Sequence, residues 1–405
     1  MEAPMHPLFT REGRKDPHPI YRRLRAEEPI TRIVEPYRKI PFRLLTRYAD
    51  CSEMLRDPRF GKDFTKWSPE ERQRLRVSDE FEALGKHMLS ADPPDHTRLR
   101  SLVAKAFTPQ IVEGLRGRIA TIAEDLVSAA LARDASGMDL VSQFSYPLPV
   151  TVIAELLGVP ASDQDDFRRW TTVLFTPADT EEQLAHLRAT GFAFFQYFMQ
   201  LIERRRAEPQ DDLVSGLVAA EEGGDRLSTQ ELVGMLFLLL VAGHETTVNL
   251  ITNGMLALMD HPEQHERLAS DPSLLESAVE EMLRYCGPVE TTTYRFALED
   301  LEFGGVTIRK NELVVASLLS ADHDESRFPD PDRFDVGRKP NKHIAFGYGI
   351  HFCLGAPLAR LEAAIAVETL LRRLPRMRLA IPREELEPSS MLLLLHAKKR
   401  LPIVF

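Results

Sequence analysis

The sequence is short of several features that would place it quickly. It has three cysteines in 405 residues, Cys51, Cys286 and Cys353, far apart and odd in number, and no CxxC or CxxCH. That spacing argues against zinc ribbons and c-type haem attachment and fits a reducing, cytoplasmic setting. No apolar run has membrane length. The most hydrophobic stretch, Leu232 to Ala242, is about half of the roughly 20 residues a span needs, and His244 and Glu245 follow it. The N-terminal MEAPMHPLFTREGRKDPHPIY is polar and proline-rich, so neither a signal nor a membrane anchor is expected. Positive charge is in deficit, 51 Lys and Arg against 61 Asp and Glu, a formal charge of −10, which argues against nucleic acid as a partner. No flavin or dinucleotide-binding region, internal repeat or convincing linker is visible. What remains is a globular composition, 43% hydrophobic and 28% charged, read as a single domain over residues 1–405.

Helical periodicity dominates. A helix is expected over Pro17–Glu28 and another over Tyr48–Arg56. Between them Ile30–Val34 and Phe42–Thr46 read as two strands able to pair. Phe60–Leu89 has no sustained period and reads as a long loop with helical fragments. Ser228 and Glu231 form an S-x-x-E capping box. The helix they open can run to Asp260, before His261-Pro262, and would be roughly 50 Å long. Thr291–Glu299, Phe303–Ile308 and Leu313–Ser317 read as strands, with Gly304-Gly305 among them, and Met391–Leu395 and Ile403–Phe405 as late strands. The segment holding Phe192, Phe194, Phe195, Tyr197 and Phe198 reads either as a hydrophobic entrance or as plain core.

Four constellations carry possible chemistry. Cys353 lies in FGYGIHFCLG, directly before the apolar-periodic LARLEAAIAVETLLRRL. Pro357 suits a first helical turn. A lone cysteine is most often a small buried hydrophobe. Here it precedes a helix N-terminus, where free N–H groups favour a thiolate, and glycines let the backbone approach a flat ligand. AGHETT, Ala242 to Thr247, puts polar groups inside an apolar helix, which costs stability unless they are paired or used. Thr246 can return its hydroxyl to the carbonyl of Ala242 and bend the helix, with Glu245 beside it; a structural polar network is an equal reading. His96 and Arg100 lie one turn apart beside an apolar stripe, a solvated face or an anion-binding pair. Glu281 and Arg284, spaced i, i+3, are a surface pair unless buried.

The pattern Phe346, two residues, Gly349, three residues, Cys353, one residue, Gly355 resembles the haem-binding loop of the cytochrome P450 family. Ala242, Gly243, Glu245 and Thr246 match that family's oxygen-binding motif, His96 and Arg100 its His-x-x-x-Arg, and Glu281 and Arg284 its Glu-x-x-Arg. The likeness covers nearly the whole chain and is closest to the soluble bacterial branch. It implies a mainly α, triangular single domain with a small β region, and haem b (iron protoporphyrin IX) between the long central helix and the cysteine loop. By the same likeness Cys353 ligates the iron, and His96, Arg100, Arg295 and His351 contact the propionates. Thr246 holds dioxygen and a water, Glu245 relays protons, His244 has no role, and Arg333 joins Glu281 and Arg284 in a charge network bracing the loop.

The activity implied is monooxygenation: hydroxylation or epoxidation of a hydrophobic small molecule with O2 and two electrons, in secondary metabolism. The electrons come from a ferredoxin or flavodoxin with its NAD(P)H-dependent reductase, and a monomer is expected. Arg338, Lys339, Lys342 and His343 form a basic stretch that could meet an acidic partner, or a solvated loop. Leu238, Val241, Ala242, Thr291, Thr292 and Met391 are expected to border the substrate pocket; macrolide-like, terpenoid, steroid and fatty-acyl compounds all suit such a lining. The rivals are a hydrogen-peroxide-driven peroxygenase of the same fold and a non-enzymatic haem protein for gas sensing or electron transfer.

Overall fold

A computed structural model describes residues 5–37, 39–68, 70, 72, 84–175, 180–222, 224–389 and 392–405. The chain is mostly helical, 57%, with a small β region. It falls into two compact units, Met1–Gly61 with Arg116–Leu148 and Thr246–Phe405, and Lys62–Leu115 with Pro149–Glu245.

The first unit holds a five-stranded sheet. Ile30–Val34 pairs antiparallel with Pro41–Leu45, in the register Ile30 to Leu45 and Val34 to Pro41. Leu313–Ala316 adds in parallel to Pro41–Leu45, then Arg295–Ala297 and Phe60–Gly61 add antiparallel. Ile30, Leu45, Phe60 and Val314 are buried together with Cys51, Met54, Phe303 and Ile308, so β-branched and aromatic side chains fill one pleated face. The expected Phe303–Ile308 strand is instead a hairpin, Leu301–Phe303 against Val306–Ile308. Gly304 and Gly305 turn it at φ +57° and +82°, values that L side chains resist. The helix Ala356–Arg373 packs on Arg116–Arg133, and Glu124 joins them through ion pairs to Arg372 and Arg373. Near the C-terminus, Pro402–Val404 pairs with Gly137–Asp139 and Arg378–Leu379.

The second unit is helical. The capping box forms as read: Ser228 Oγ accepts from Glu231 N–H at 3.3 Å, and the Glu231 carboxylate accepts from Ser228 N–H at 2.8 Å. Phe194 and Phe198 are fully buried and pack with Phe167 and Tyr197. That side of the Glu181–Ala207 helix is core, while Phe192 is exposed.

The long helix is interrupted. It runs Thr229–Gly243, breaks at His244 (φ −103°, ψ −49°), and resumes over Glu245–Asp260. Thr229–Asp260 is long and apolar enough to cross a membrane by length and composition, but its most apolar part is 61% buried. Its hydrophobicity is thus spent on core packing.

Candidate active site around Cys353

The cysteine loop is built by two left-handed glycines. Gly347 and Gly349 both stand at φ +73°, a conformation open to glycine and costly to other residues. A Cβ at Gly349 would also sit 2.5 Å from the Leu55 carbonyl oxygen. The backbone closes on itself: Cys353 N–H donates to Phe346 O at 3.0 Å, and Phe352 N–H to Gly349 O at 3.0 Å. His351 ends the short helical turn Gly349–His351. The helix Ala356–Arg373 then starts with Gly355 as N-cap and Pro357 in its first turn. At Gly355 an added Cβ would meet only Cys353 Sγ, at 3.9 Å. Glycine is therefore not demanded by the protein there, and it keeps space beside the sulfur.

Exposure separates this cysteine from the others. Cys353 is half-buried, beside exposed Tyr348, Ile350 and Phe352. Cys51 and Cys286 are buried, and burial pushes the Cys51 thiol well up and the Cys286 thiol up to about 12. Their sulfurs donate to the carbonyls of Leu45 and Met282. Those two are structural thiols; Cys353 alone of the three is not fully buried.

The loop is held by a buried charge network. Arg284 meets Glu281 in a two-pronged pair, 2.8 Å on each side, with both side chains fully buried. Arg284 also donates to the carbonyls of Asp322, Pro331 and Arg333. The third member is Arg338, whose Nε lies 3.1 Å from Glu281; Arg333, the expected partner, contributes only its carbonyl. The turn that donates Arg338 N–H to Asp335 O folds the Arg338 side chain inward, whereas Arg333 is exposed. Of the expected basic stretch, Arg338 and His343 are therefore used internally, His343 on Glu280 at 3.1 Å. Lys339 and Lys342 remain exposed. Asp322 accepts from Ile344 N–H at 2.8 Å, and burial pushes its carboxyl up to about 7.

The other expected site residues stand on separate elements. His96, buried, and Arg100, half-buried, share one side of the helix Asp95–Ala106. Arg295 is buried in its strand opposite Val314. Leu238 is buried, Val241 half-buried and Ala242 exposed on Thr229–Gly243. Gly243 lies beside Ile153, where a Cβ would make only ordinary contact at 3.4 Å from its Cδ1. Glu245 and Thr246, both half-buried, open Glu245–Asp260, where a helix N-terminus favours a carboxylate. Thr291 donates its hydroxyl to Leu393 O at 3.0 Å, and Thr292 Oγ1 accepts from Ala316 N–H at 3.1 Å, so both hydroxyls are committed to backbone. Met391 lies outside the described residues.

Two residues escaped the sequence reading. His244 is completely buried, and its Nδ1 bonds Leu240 O at 2.8 Å. Burial pushes its pKa down to about 4 against the pull of that carbonyl, so the ring is neutral and its backbone carries the helix break. The available signal was a histidine inside an apolar helix. Glu362, nine residues after Cys353 in sequence, is buried with Oε2 unpartnered. Burial alone pushes its carboxyl up to about 8. Its folded pKa exceeds the ordinary value of 4.5, so its neutral form stabilises the protein fully at low pH, and that stability is lost as pH rises through about 8. Glu362→Gln should therefore gain stability over the wild type on going from pH 6 to pH 9, by a few kcal/mol. Unfolding temperatures measured at both pH values check this; an unchanged gap between the two proteins would contradict it.

A mainly helical protein with a small sheet, holding one half-buried cysteine on a braced glycine loop, has the architecture of a thiolate-ligated redox enzyme. The chain belongs to the cytochrome P450 family: the Cytochrome P450 profile matches residues 62–401. It is 48% identical over 389 residues to cytochrome P450 107B1 of Saccharopolyspora erythraea, covering 95% of this chain and 94% of that one. It is 46% identical over 382 residues to the vitamin D(3) 25-hydroxylase of Pseudonocardia autotrophica, covering 94% and 92%. The crystal structure of myxobacterial cytochrome P450 CYP267B1 in complex with myristic acid superposes with a TM-score of 0.92 at 50% identity, covering 98% of each chain. Other relatives are named as monooxygenases and hydroxylases, and monooxygenation is the activity of this chain.

The family binds haem, and the residues present suit one. Among the described residues no group of three or more His, Cys, Asp or Glu is placed to hold a bare metal ion. A haem iron, ligated mainly by its macrocycle, takes a single strong ligand from the protein. Cys353, with only glycine beside its sulfur at position 355, would offer that one.

Proposed function

We propose that the chain hydroxylates or epoxidises a hydrophobic small molecule, with haem b held through the Cys353 thiolate. The observation that carries this is Cys353, half-buried on its glycine-turned loop where the other two cysteines are buried. Bound haem supplies the oxidising power drawn from dioxygen and two electrons. Around it this chain's residues bind and steer. Cys353 Sγ donates electron density. His96, Arg100, Arg295 and His351 supply cationic or N–H partners for propionates. Glu245 takes up protons at its carboxylate, and the Thr246 hydroxyl passes them on. Leu238, Val241, Ala242, Thr291 and Thr292 present apolar surface to the substrate. The myristic acid held by the myxobacterial structure and the vitamin D(3) named for the Pseudonocardia enzyme are both largely apolar, which supports a hydrophobic substrate class.

The electrons come from a ferredoxin or flavodoxin with an NAD(P)H-dependent reductase, the docking charges being Lys339 and Lys342. The protein works in the cytoplasm as a monomer. Reconstitution with such a donor chain and a panel of macrolides, steroids and fatty acids tests the reading; product must require both donor and O2. Turnover with peroxide but with no donor would identify a peroxygenase, and no product under any donor a non-enzymatic haem protein. In the same assay Thr246→Ala should keep consuming NAD(P)H while product per NAD(P)H falls about tenfold or more. Unchanged coupling would remove Thr246 from proton handling.

A further inference from the structure

Glu280 ties three elements together around the cysteine loop, and no role given above explains its contacts. It neighbours Glu281 on the helix Leu275–Cys286; successive helical residues point about 100° apart, so the two carboxylates serve different partners. Glu280 Oε1 accepts from Arg360 Nε at 2.6 Å and Oε2 from Arg360 Nη2 at 2.9 Å. Oε2 also lies 3.1 Å from His343 Nε2. Burial would raise this carboxyl, yet hydrogen bonds from His343 and Arg360 hold it down to about 2, so it is ionised. His343 Nδ1 accepts from Ala345 N–H at 3.2 Å, which leaves Nε2 to carry the proton donated to Glu280.

The Arg360 guanidinium, so fixed, stands 4.6 Å from the centroid of the Phe346 ring. Phe352 meets the same ring edge-on at 6.3 Å. The carbonyl of Phe346 accepts the Cys353 N–H at 3.0 Å. A chain of contacts thus runs from Glu280 through Arg360 and Phe346 to the cysteine backbone. We propose that Arg360, clamped by Glu280, is a positioning residue that pins Phe346 by a cation–π contact and tunes the electron affinity of the centre ligated by Cys353. This rests on the reading of Cys353 as the haem ligand.

The two charges act with opposite sign. The guanidinium favours the reduced, more negative state of a nearby redox centre, and the carboxylate disfavours it. Arg360 is partly exposed, so solvent weakens its through-space effect; its contact with the ring is less screened.

The test is a spectroelectrochemical titration of the holoenzyme, with the ferrous–carbon monoxide band as a check on thiolate ligation. Arg360→Ala should move the midpoint to a more negative potential, lowering the ferrous-to-ferric ratio at fixed potential roughly three- to tenfold. Arg360→Lys should recover most of that shift. Glu280→Gln removes the negative charge while its amide oxygen still accepts from Arg360, and should move the midpoint the other way. Arg309→Ala, which removes an exposed charge paired with Asp300, should leave it unmoved. If Arg360→Ala does not fold, Arg360→Met keeps the aliphatic stem and carries the same test. Shifts of equal sign for the Arg360 and Glu280 variants would mark simple loosening of the loop and overturn the proposal, as would no shift in either with the thiolate band intact. A wild-type protein lacking that band would instead overturn the assignment of Cys353.

Discussion

Replacing Cys353 with alanine will remove the thiolate-type ferrous–carbon monoxide absorption and reduce donor-driven turnover by roughly a thousandfold or more, the scale of several kcal/mol of lost activation. No other sulfur can take its place. Cys51 is packed beneath the five-stranded sheet with Met54 and Phe60, and Cys286 bonds back into its own helix. Burial holds both thiols protonated. The fold should survive, because the loop is closed by the backbone bond from residue 353 to Phe346 O, which alanine also makes. Apo-protein unfolding should therefore shift by no more than about 1 kcal/mol. Retention of the thiolate band and of turnover in Cys353→Ala would defeat the proposed function outright. Loss of turnover with the band retained would place the thiolate ligand on another cysteine.

Local order was largely legible in the sequence. The capping box at Ser228 and Glu231, the strand Ile30–Val34, and the proline-led helix after Cys353 are set by neighbours a few residues away, and they stand where the pattern placed them. The features that differed depend on side chains meeting from afar. A threonine four residues from a carbonyl signals a bend, and the helix does break at His244, between Ala242 and Thr246; that the His244 ring is fully buried on Leu240 O is what the sequence does not show. Arg333 and Arg338 are both arginines in an irregular stretch, and nothing local tells which folds inward; the turn at Asp335 decides it. His343 read as a surface cation because its partner, Glu280, lies 63 residues earlier in the chain. Glu362 reads in sequence as an ordinary charged position on an amphipathic helix, and only packing shows it buried with an unpartnered oxygen.

The charge network behind the loop supplies the largest expected loss of stability. Arg284→Ala should destabilise the protein by about 3–5 kcal/mol, because it leaves Glu281 a buried carboxylate short of its main counter-ion. The carbonyls of Asp322 and Pro331 lose their side-chain donor in the same step, and that of Arg333 loses one of two. Glu281→Ala should cost a similar amount, since it strands Arg284 and also removes the acceptor for Asp335 N–H and Asn341. The two other arginines then separate cleanly. Arg338→Ala removes a partly buried ion pair but leaves Glu281 its bond to Arg284, so roughly 1–2 kcal/mol is expected. Arg333→Ala keeps the carbonyl that Arg284 and Arg338 use and should stay within about 0.5 kcal/mol of wild type. Denaturant unfolding of the four variants gives the order directly. A loss at Arg333 larger than that at Arg338 would show that the network's third member had been placed on the wrong arginine, whatever the cost at Arg284.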